Sequence, residues 1–287
     1  MFESKQILCA MPYFQDEFLE FEGNKYCVRK KVFENQEFRF IDSHFIYNYF
    51  DNGLLTQFVN CCESSNIDAA FLRLSPFCHV DYTPPSRIIK RTYKKNKTCF
   101  IDTSTNFFLG MSKSYRNIIR RAKREYLIDT LKPNASDLFL FAEKYNEYMK
   151  KKATTGLYYL DPVKFQNLGN CPDVLLVQIK TDNHEIIVSS LFVKYRNIFY
   201  YWFSYSSGKA PQGAGQLSIF AACEYVSKAQ SYGVFLGGGM TDEVDDSLWK
   251  FKKNFSASHI NVNYIGLSIS NKFQRLDSGT EGRLIPW

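Results

Sequence analysis

Three apolar runs of strand length lie one after another in the chain, and this succession constrains the fold more than any other feature. The runs are residues 174–181, 185–195 and 197–205. They are joined by one short polar turn ending at His184 and one tight turn at Arg196–Asn197. Turns this short join antiparallel neighbours, because parallel neighbours need a crossover of about a dozen residues. The pattern therefore predicts an antiparallel three-stranded meander.

Helical patterns lie on both sides of this meander. Ser112 is typical of a helix N-cap, and apolar residues recur behind it at helical spacing as far as Tyr126. A second helix is predicted from about Asp137. After the meander come a helix at 216–231, a short strand at 234–236, a helical stretch at 248–255 and a strand at 259–269. This order predicts an α+β fold, in which a mixed sheet carries helices on its faces.

The first hundred residues have a different organisation, in which short apolar runs alternate with turns. A helix is predicted at 54–65 and a strand at 68–74. The basic stretch at 90–97 then flanks another strand, and we interpret it as either a domain boundary or a surface hairpin. We therefore divide the chain into domains at 1–97 and 98–287.

Charge and cysteine content narrow the expected partners and the compartment. The net charge of +7 suits a nucleotide, a phosphorylated lipid or a nucleic acid, without choosing among them. The eight Cys form no CxxC motif and only four His are present, so we expect reduced thiols and no metal site. No apolar stretch approaches the ~18 residues that a membrane span requires, and the N-terminus is a poor signal peptide. We expect a cytoplasmic protein, or one peripheral to the inner face of the membrane.

One face of the helix that begins after Ser112 is strongly basic. It carries Lys113, Arg116, Arg120, Arg121, Lys123 and Arg124. Cations this close repel one another without a counter-charge. The face is either an ordinary solvated surface or a surface that meets an anion.

Glycines mark two loops that ligands could approach. Gln212, Gly213 and Gly215 lie between a strand and a helix, where backbone N–H groups and the helix N-terminus favour phosphate. A plain Gly-rich turn would explain this loop equally well. The run of Gly237, Gly238 and Gly239 ends a strand, as happens where a ligand or another backbone segment comes close.

The segment after these glycines contains candidates for the group that accepts a proton and for the group that stabilises an oxyanion. Asp242 or Glu243 could accept a proton from an attacking ammonium, although the acidic loop could equally be solvated, with Asp246 or Ser247 as a helix N-cap. Lys252 lies beside Phe251 on the apolar edge of the next helix. It could stabilise an oxyanion in a partly dry cleft, or it could be a surface lysine that snorkels to water.

Taken together, these segments resemble the Fem-type (FemA/FemB/FemX) branch of the GNAT superfamily. The matching motifs are Ile101-Asp102-Thr103-Ser104, the basic helix Lys113 to Lys123, Leu236-Gly237-Gly238-Gly239 and Phe251-Lys252-Lys253-Asn254-Phe255-Ser256. Their order and spacing match over residues 98–270, and Phe71 to Pro76 resembles a strand end of the family more loosely. The triple glycine is also similar to GNAT-like proteins associated with bacterial surface-polysaccharide synthesis. The resemblance implies a shortened N-terminal GNAT-like subdomain packed on a complete C-terminal GNAT domain.

The resemblance also implies N-acyl transfer, in which an acyl or aminoacyl group moves from acyl-CoA or aminoacyl-tRNA to an amine. The acceptor would be a small-molecule or lipid-linked amine of a cell-envelope precursor, such as an amino sugar or a peptidoglycan-type precursor. Lys252 and Phe251 would act at the reacting carbonyl. Donor phosphates would meet the Gly-containing loop and Arg116, Arg120 and Lys123, although Leu217 stands where the family has a final Gly or Ala. Tyr205 is a further candidate base.

Two alternatives belong to other functional classes. The basic helix and residues 90–97 could serve a non-catalytic tRNA- or RNA-binding protein, which would bind with a steep dependence on salt. A degenerate GNAT scaffold acting within a complex is the second alternative, although the Phe-Lys-x-x-Phe segment is intact.

Overall fold

A computed structural model describes residues 17–22, 24–33, 35–48, 50–75, 82–152, 159–195, 197–208, 212–239 and 245–278. Eleven strands are present in these ranges: β1 (Phe18–Phe21), β2 (Asn24–Phe33), β3 (Gln36–Asn48), β4 (Ala69–Leu74), β5 (Ile89–Asp102), β6 (Leu127–Leu131), β7 (Val174–Lys180), β8 (Ile186–Tyr195), β9 (Ile198–Ser206), β10 (Gly233–Gly237) and β11 (His259–Ser268). The helices are α1 (Asn52–Ser64), α2 (Phe107–Gly110), α3 (Lys113–Glu125), α4 (Ala135–Lys151), α5 (Pro162–Phe165), α6 (Ala214–Lys228), α7 (Ser247–Lys252) and α8 (Asn271–Ser278), with 3₁₀ turns at Gln166–Leu168 and Lys253–Phe255.

The chain divides into two compact units. One spans residues 97–260, and the other contains the described residues of 14–96 and 261–287. The boundary near residue 97 falls within β5, where the sequence analysis considered a boundary or a hairpin. Residues 261–278, which that analysis placed in the second domain, belong here to the N-terminal unit because β11 pairs antiparallel with β4.

The N-terminal unit is built on the strand order β1-β2-β3-β4-β11. Neighbouring strands are antiparallel except β3 and β4, which are parallel. Helix α1 packs on this sheet through Phe58, whose ring lies 4.9 Å from that of Tyr26 and 5.2 Å from that of Phe50. The buried carboxylate of Asp68 accepts from the backbone N–H of Arg39 at 2.8 Å and from Lys272 at 3.1 Å, which ties α8 to this sheet.

The 97–260 unit has the strand order β5-β10-β9-β8-β7-β6. Strands β7, β8 and β9 are consecutive antiparallel neighbours, so the predicted meander is confirmed. Helices α3 and α6 cover one face, and a large apolar cluster beneath them includes Ile119, Leu217 and Val234. Helices α4 and α5 pack on the other face through rings such as Phe141 and Phe165, whose centroids lie 6.0 Å apart.

Local sequence signals explain where the helices of this unit begin. The Ser112 side chain accepts from the backbone N–H of Tyr115, as predicted for an N-cap. Helix α4 begins at Ala135, two residues before the predicted start, because Asn134 and Asp137 form a reciprocal capping box. Asp246 accepts from the backbone N–H of Trp249 at 2.6 Å and begins α7. The N-cap interpretation of Asp246 is therefore confirmed.

Candidate active site

The strands β9 and β10 part from each other part-way along their length. Among the described residues, their parallel pairing runs from Ile198 opposite Gly233 to Tyr200 opposite Phe235. Strand β9 nevertheless continues to Ser206, whereas β10 ends at Gly237. Within the described ranges, β9 therefore has no partner strand on the β10 side from Tyr201 onwards.

A β-bulge directs the side chains of β9 after this point. Leu191 of β8 lies opposite Phe203, whereas the next residue, Phe192, lies opposite Tyr201, so Trp202 is the extra residue. A bulge shifts the alternation of side chains between the two faces of a sheet. Tyr201 consequently packs against the cluster under α6, whereas Phe203 contacts the ring of Tyr145 on α4 at 5.3 Å.

The triple glycine allows the backbone after β10 to approach α7. Gly237 has φ +72°, a left-handed conformation that few other residues adopt without strain. A Cβ added to Gly239 would lie 2.4 Å from the Asp246 carboxylate. The close approach expected from the sequence is therefore made, at Gly239, by a side chain of the protein itself. The carbonyl oxygen of Gly238 accepts a hydrogen bond from Lys252 at 3.0 Å.

Lys252 is buried, with a relative exposure of 6%. Its Nζ donates to Gly238 and lies 5.6 Å from the ring centroid of Tyr201. The interpretation of Lys252 as a snorkelling surface lysine is therefore wrong. Burial raises the pKa of the nearby Cys99 thiol to about 12, against the opposing influence of the Lys252 charge.

Phe251 joins α7 to the first turn of α6. Its ring would lie 3.7 Å from a Cβ added to Gly215, and its carbonyl oxygen accepts from the Tyr115 hydroxyl at 2.9 Å. The ring also makes an edge contact with Phe255 at 5.4 Å. The structure thus brings Phe251, Lys252, Gly215, Gly237 and Gly238 into one neighbourhood.

The first turn of α6 is held by backbone and hydroxyl groups. Gly213 is its N-cap, with φ +107° and no side-chain cap. A Cβ there would meet Ile118 of α3 at 3.1 Å, so this glycine also permits close helix packing. Ser218 donates to the carbonyl oxygen of Gly215 at 2.9 Å. An α-helix leaves N–H groups unsatisfied at its N-terminus, and these favour an anion.

A chain of hydroxyls links this first turn to Tyr201. Ser190 lies 3.0 Å from Ser218 and 2.9 Å from Ser204 between hydroxyl oxygens. Burial raises the pKa of Tyr201, and hydrogen bonds to Ser204 and Ser190 oppose that rise. The ring beside Lys252 is therefore fixed through hydroxyls to the start of α6. Tyr201 and these serines were not among the predicted site residues, although Ser189-Ser190 inside an otherwise apolar strand is a signal that could have indicated them.

The cations predicted to bind the donor lie along α3, and each contacts the protein itself. Arg116 donates to the carbonyl oxygens of Leu109 and Met111 at 3.0 and 2.6 Å. Arg120 lies over the ring of Phe108 at 5.1 Å. Lys123 pairs at 2.9 Å with Glu224, which is far along α6 from its N-terminus. The structure does not bring these three side chains to Lys252.

The remaining predicted residues have three different outcomes. Gln212 is exposed in the turn before Gly213. Asp242 and Glu243 lie outside the described residues. Tyr205 packs against Phe141 of α4 at 5.4 Å, on the face of the sheet opposite the cluster that contains Tyr201. The bulge at Trp202 therefore separates Tyr205 from the surroundings of Lys252.

The buried phenol of Tyr205 should affect the stability of the fold at alkaline pH. Burial raises its pKa from 10.0 to about 12. Between these values the phenol ionises in the unfolded chain and stays neutral in the folded one, so the wild type loses stability as pH rises. We expect the Tyr205→Phe variant to gain stability relative to the wild type as pH rises from 9 to 11. Urea unfolding at several pH values measures this difference, and a difference that is constant with pH would contradict it.

Two further properties of the described residues bear on metals and membranes. No group of three or more His, Cys, Asp or Glu in them could hold a metal ion. None of their helices is long and apolar enough to cross a membrane.

Solved structures show which known folds this chain is similar to. L-PGS from Bacillus licheniformis has a TM-score of 0.60 at 12% identity, covering 91% of this chain and 87% of that one. FemX has a TM-score of 0.58 at 14% identity, covering 92% and 89%. The C-terminal domain of a putative lysylphosphatidylglycerol synthetase from Agrobacterium fabrum has a TM-score of 0.57 at 12% identity, covering 92% and 87%. No protein-family model and no curated protein matches the chain. The mixed α/β fold is GNAT-like, as predicted.

Proposed function

We propose that this chain is an N-acyltransferase that moves an acyl or aminoacyl group from acyl-CoA or aminoacyl-tRNA to an amine on a cell-envelope precursor. The observation that carries the proposal is the buried Lys252 ammonium, held beside Gly238 where β9 and β10 diverge. The GNAT-like fold shared with FemX and with a putative lysylphosphatidylglycerol synthetase supports a transferase of this class. The amino sugar or peptidoglycan-type acceptor comes from the sequence resemblance.

Lys252 would act on the carbonyl oxygen of the donor. The acceptor nitrogen attacks the carbonyl carbon and forms the new C–N bond, which places negative charge on that oxygen. The Lys252 ammonium stabilises this oxyanion until the C–S bond of a thioester, or the C–O bond of an aminoacyl ester, breaks. The leaving group takes up one proton, and the new amide loses one. A positioned donor of this kind contributes about 10²–10³-fold to the rate.

The surroundings of Lys252 suit this role because they fix the charge before the reaction. The carbonyl oxygen of Gly238 and the ring of Tyr201 hold the ammonium on two sides. Burial keeps the local dielectric low, which strengthens its interaction with a developing negative charge. No reorganisation of solvent around this cation is then needed during the reaction.

The start of α6 is the proposed site for the phosphates of the donor. Gln212, Gly213 and Gly215 stand there, where helix N–H groups favour anions. A Cβ added to Gly215 would lie 3.7 Å from the ring of Phe251, the residue before Lys252. One donor molecule could therefore place its phosphates at this turn and its acyl group at Lys252. Arg116, Arg120 and Lys123 stay proposed contacts for more distant phosphates, and Asp242 or Glu243 stays the proposed base.

The alternative function is non-catalytic binding of tRNA or other RNA. The observation that favours it is the exposed row of cations on α3, which includes Lys113, Arg121 and Arg124. Such a protein would bind uncharged and aminoacylated tRNA alike, because phosphate contacts do not depend on the acyl group.

A binding experiment distinguishes these donors and the alternative. Thermal unfolding is followed with coenzyme A and acetyl-CoA, and filter binding compares aminoacyl-tRNA with uncharged tRNA. We expect one donor class to bind, and a ligand at about 100 times its Kd stabilises the native state by about 2.7 kcal/mol. Stabilisation by coenzyme A assigns an acyl-CoA donor, and selective retention of aminoacyl-tRNA assigns the other. Equal binding of both tRNA forms, without coenzyme A binding, would overturn the enzyme proposal in favour of RNA binding.

A further inference from the structure

We infer that this chain docks on anionic membrane surfaces through a patch made of the outer face of α3 and the tip of α2. The patch, here called the α3 patch, consists of Leu109, Lys113, Arg120, Arg121 and Arg124. All five residues are exposed. The inference does not depend on acyl transfer, because it concerns only the surface charge and apolarity of this part of the 97–260 unit.

The charge of the α3 patch is largely uncompensated. Helix α3 carries six Lys or Arg residues and a single acid, Glu125. Within the described part of the chain, the carboxylates that pair with these cations are Glu125, with Arg121, and Glu224, with Lys123. An α-helix turns 100° per residue, so Lys113, Arg120 and Arg124 lie within a narrow sector around the axis of α3. This sector is on the side of the helix opposite the buried Ile119.

Leu109 adds an apolar contact beside these charges. Leu109 is 65% exposed and lies near the end of α2. The segment is held in place from behind, because Phe108 lies against Phe220 at 5.4 Å and under the guanidinium of Arg120 at 5.1 Å. The Arg116 side chain also donates to the carbonyl oxygen of Leu109. The protein thus presents an aliphatic side chain to solvent at the edge of a basic face.

This combination favours a lipid surface over an RNA. Cations meet phosphates in both partners, and each Lys or Arg near an anionic bilayer contributes about fivefold in affinity. An exposed leucine gains by entering the boundary between headgroups and acyl chains, but it gains little against a hydrated ribose-phosphate backbone. RNA-binding surfaces instead use aromatic faces on which bases stack, and the nearby Phe108 ring is already covered by Arg120.

Docking would also bring the proposed catalytic residues close to the bilayer, if the proposed function holds. Helix α3 packs against the first turn of α6 at Gly213. The backbone N–H of Ser112, at the start of α3, donates to the carbonyl oxygen of Asn254 at 2.9 Å. The Tyr115 hydroxyl contacts the carbonyl oxygen of Phe251. These contacts are made on the side of α3 that faces away from the α3 patch, so the α6 and α7 termini would stand one helix diameter, ~10 Å, from the docked face.

Co-sedimentation with vesicles tests the inference on the full chain. We expect binding to phosphatidylglycerol vesicles and little binding to phosphatidylcholine vesicles, with the binding weakened by salt. The pair Arg120→Glu and Arg124→Glu should lower the affinity for phosphatidylglycerol at least tenfold. Leu109→Ser should lower it several-fold, with a relative loss that persists at high salt because the apolar contact is not screened.

The control variants change similar residues elsewhere on the unit. Val163→Ser alters an aliphatic residue with 61% exposure, and Lys150→Glu with Lys151→Glu reverses two exposed charges on α4. Both should keep the affinity within about twofold. Equal binding to both vesicle types, or an equal loss in the control pair, would overturn the inference. So would tight RNA binding through Arg120 and Arg124 without vesicle binding. Melting temperatures near that of the wild type establish that each variant is folded.

Discussion

Replacing Lys252 by methionine lowers the rate of acyl transfer about 10²–10³-fold and leaves the fold intact. The expected loss is that of one preorganised donor to a developing oxyanion. Methionine keeps most of the length and apolar volume of the stem, so the buried position of residue 252 stays filled. The rate is measured as free thiol released from acetyl-CoA, or amino acid released from tRNA, in the presence of a panel of amino sugars and amino acids.

The neighbouring residue provides the matched control for this variant. Lys253 carries the same charge one position later and is exposed. Lys253→Met should therefore keep the rate within about twofold. If Lys252→Met turned over as fast as Lys253→Met while both were folded, Lys252 would not be the group that stabilises the oxyanion. A normal affinity for the donor in the slow variant would place the loss in the reaction step, as an interaction made only in the transition state requires.

Gly233→Ala destabilises the 97–260 unit strongly. Gly233 lies in β10, between β5 and β9, and pairs with both Asp102 and Ile198. A Cβ at this position would lie 2.2 Å from the backbone oxygen of Ile101. The clash is with backbone, so the paired strands must move apart. We expect a loss of about 3 kcal/mol or more in the free energy of unfolding, at the upper end of the usual cost of overpacking.

Urea unfolding followed by circular dichroism measures this loss. Gly208→Ala is the control, because a Cβ there would meet nothing within 4 Å. That variant should differ from the wild type by less than about 0.5 kcal/mol, as surface substitutions usually do. A Gly233→Ala variant as stable as Gly208→Ala would show that β10 does not approach β5 as closely as described.

Those features of the fold that depend on neighbouring residues could be predicted from the sequence. The turns between β7, β8 and β9 are so short that consecutive strands must pair with each other, and the structure contains the predicted meander. Ser112 and the apolar residues at helical spacing behind it predict helix α3. The residues before α7 likewise predict an N-cap at Asp246 or Ser247, and the structure has it at Asp246. In each case the contacts join residues a few positions apart, so periodicity and capping chemistry suffice.

Features that depend on distant contacts could not be predicted in this way. The position of Lys252 at the edge of an apolar helical face is compatible with a partly dry cleft and with a surface lysine, and local spacing does not decide between them. Lys252 is buried because Gly238 and Tyr201 enclose it, and both belong to other strands or loops. The pairing of β11 with β4 joins residues almost 200 positions apart, and no local signal in either strand specifies this partner.

The position of Tyr205 shows how one added residue can mislead an argument from alternation. Tyr201 and Tyr205 are four residues apart, so regular alternation would place them on one face of β9. The bulge at Trp202 places them on opposite faces. Bulges leave little trace in a single sequence, because any residue type can occupy the extra position, so alternation alone could not indicate which face Tyr205 occupies.

Mass spectrometry of the products from the wild type and from Lys252→Met tests whether Lys252 promotes acyl transfer to an amine. The donor is whichever of acetyl-CoA and aminoacyl-tRNA binds, and the acceptors are amino sugars and amino acids. We expect an acceptor that gains the acyl mass through an amide bond with the wild type, and only a trace of that product with Lys252→Met. An unchanged amine pool with the wild type would show that the chain does not acylate these amines, and equal amide yields at early times from both proteins would show that Lys252 does not promote the transfer.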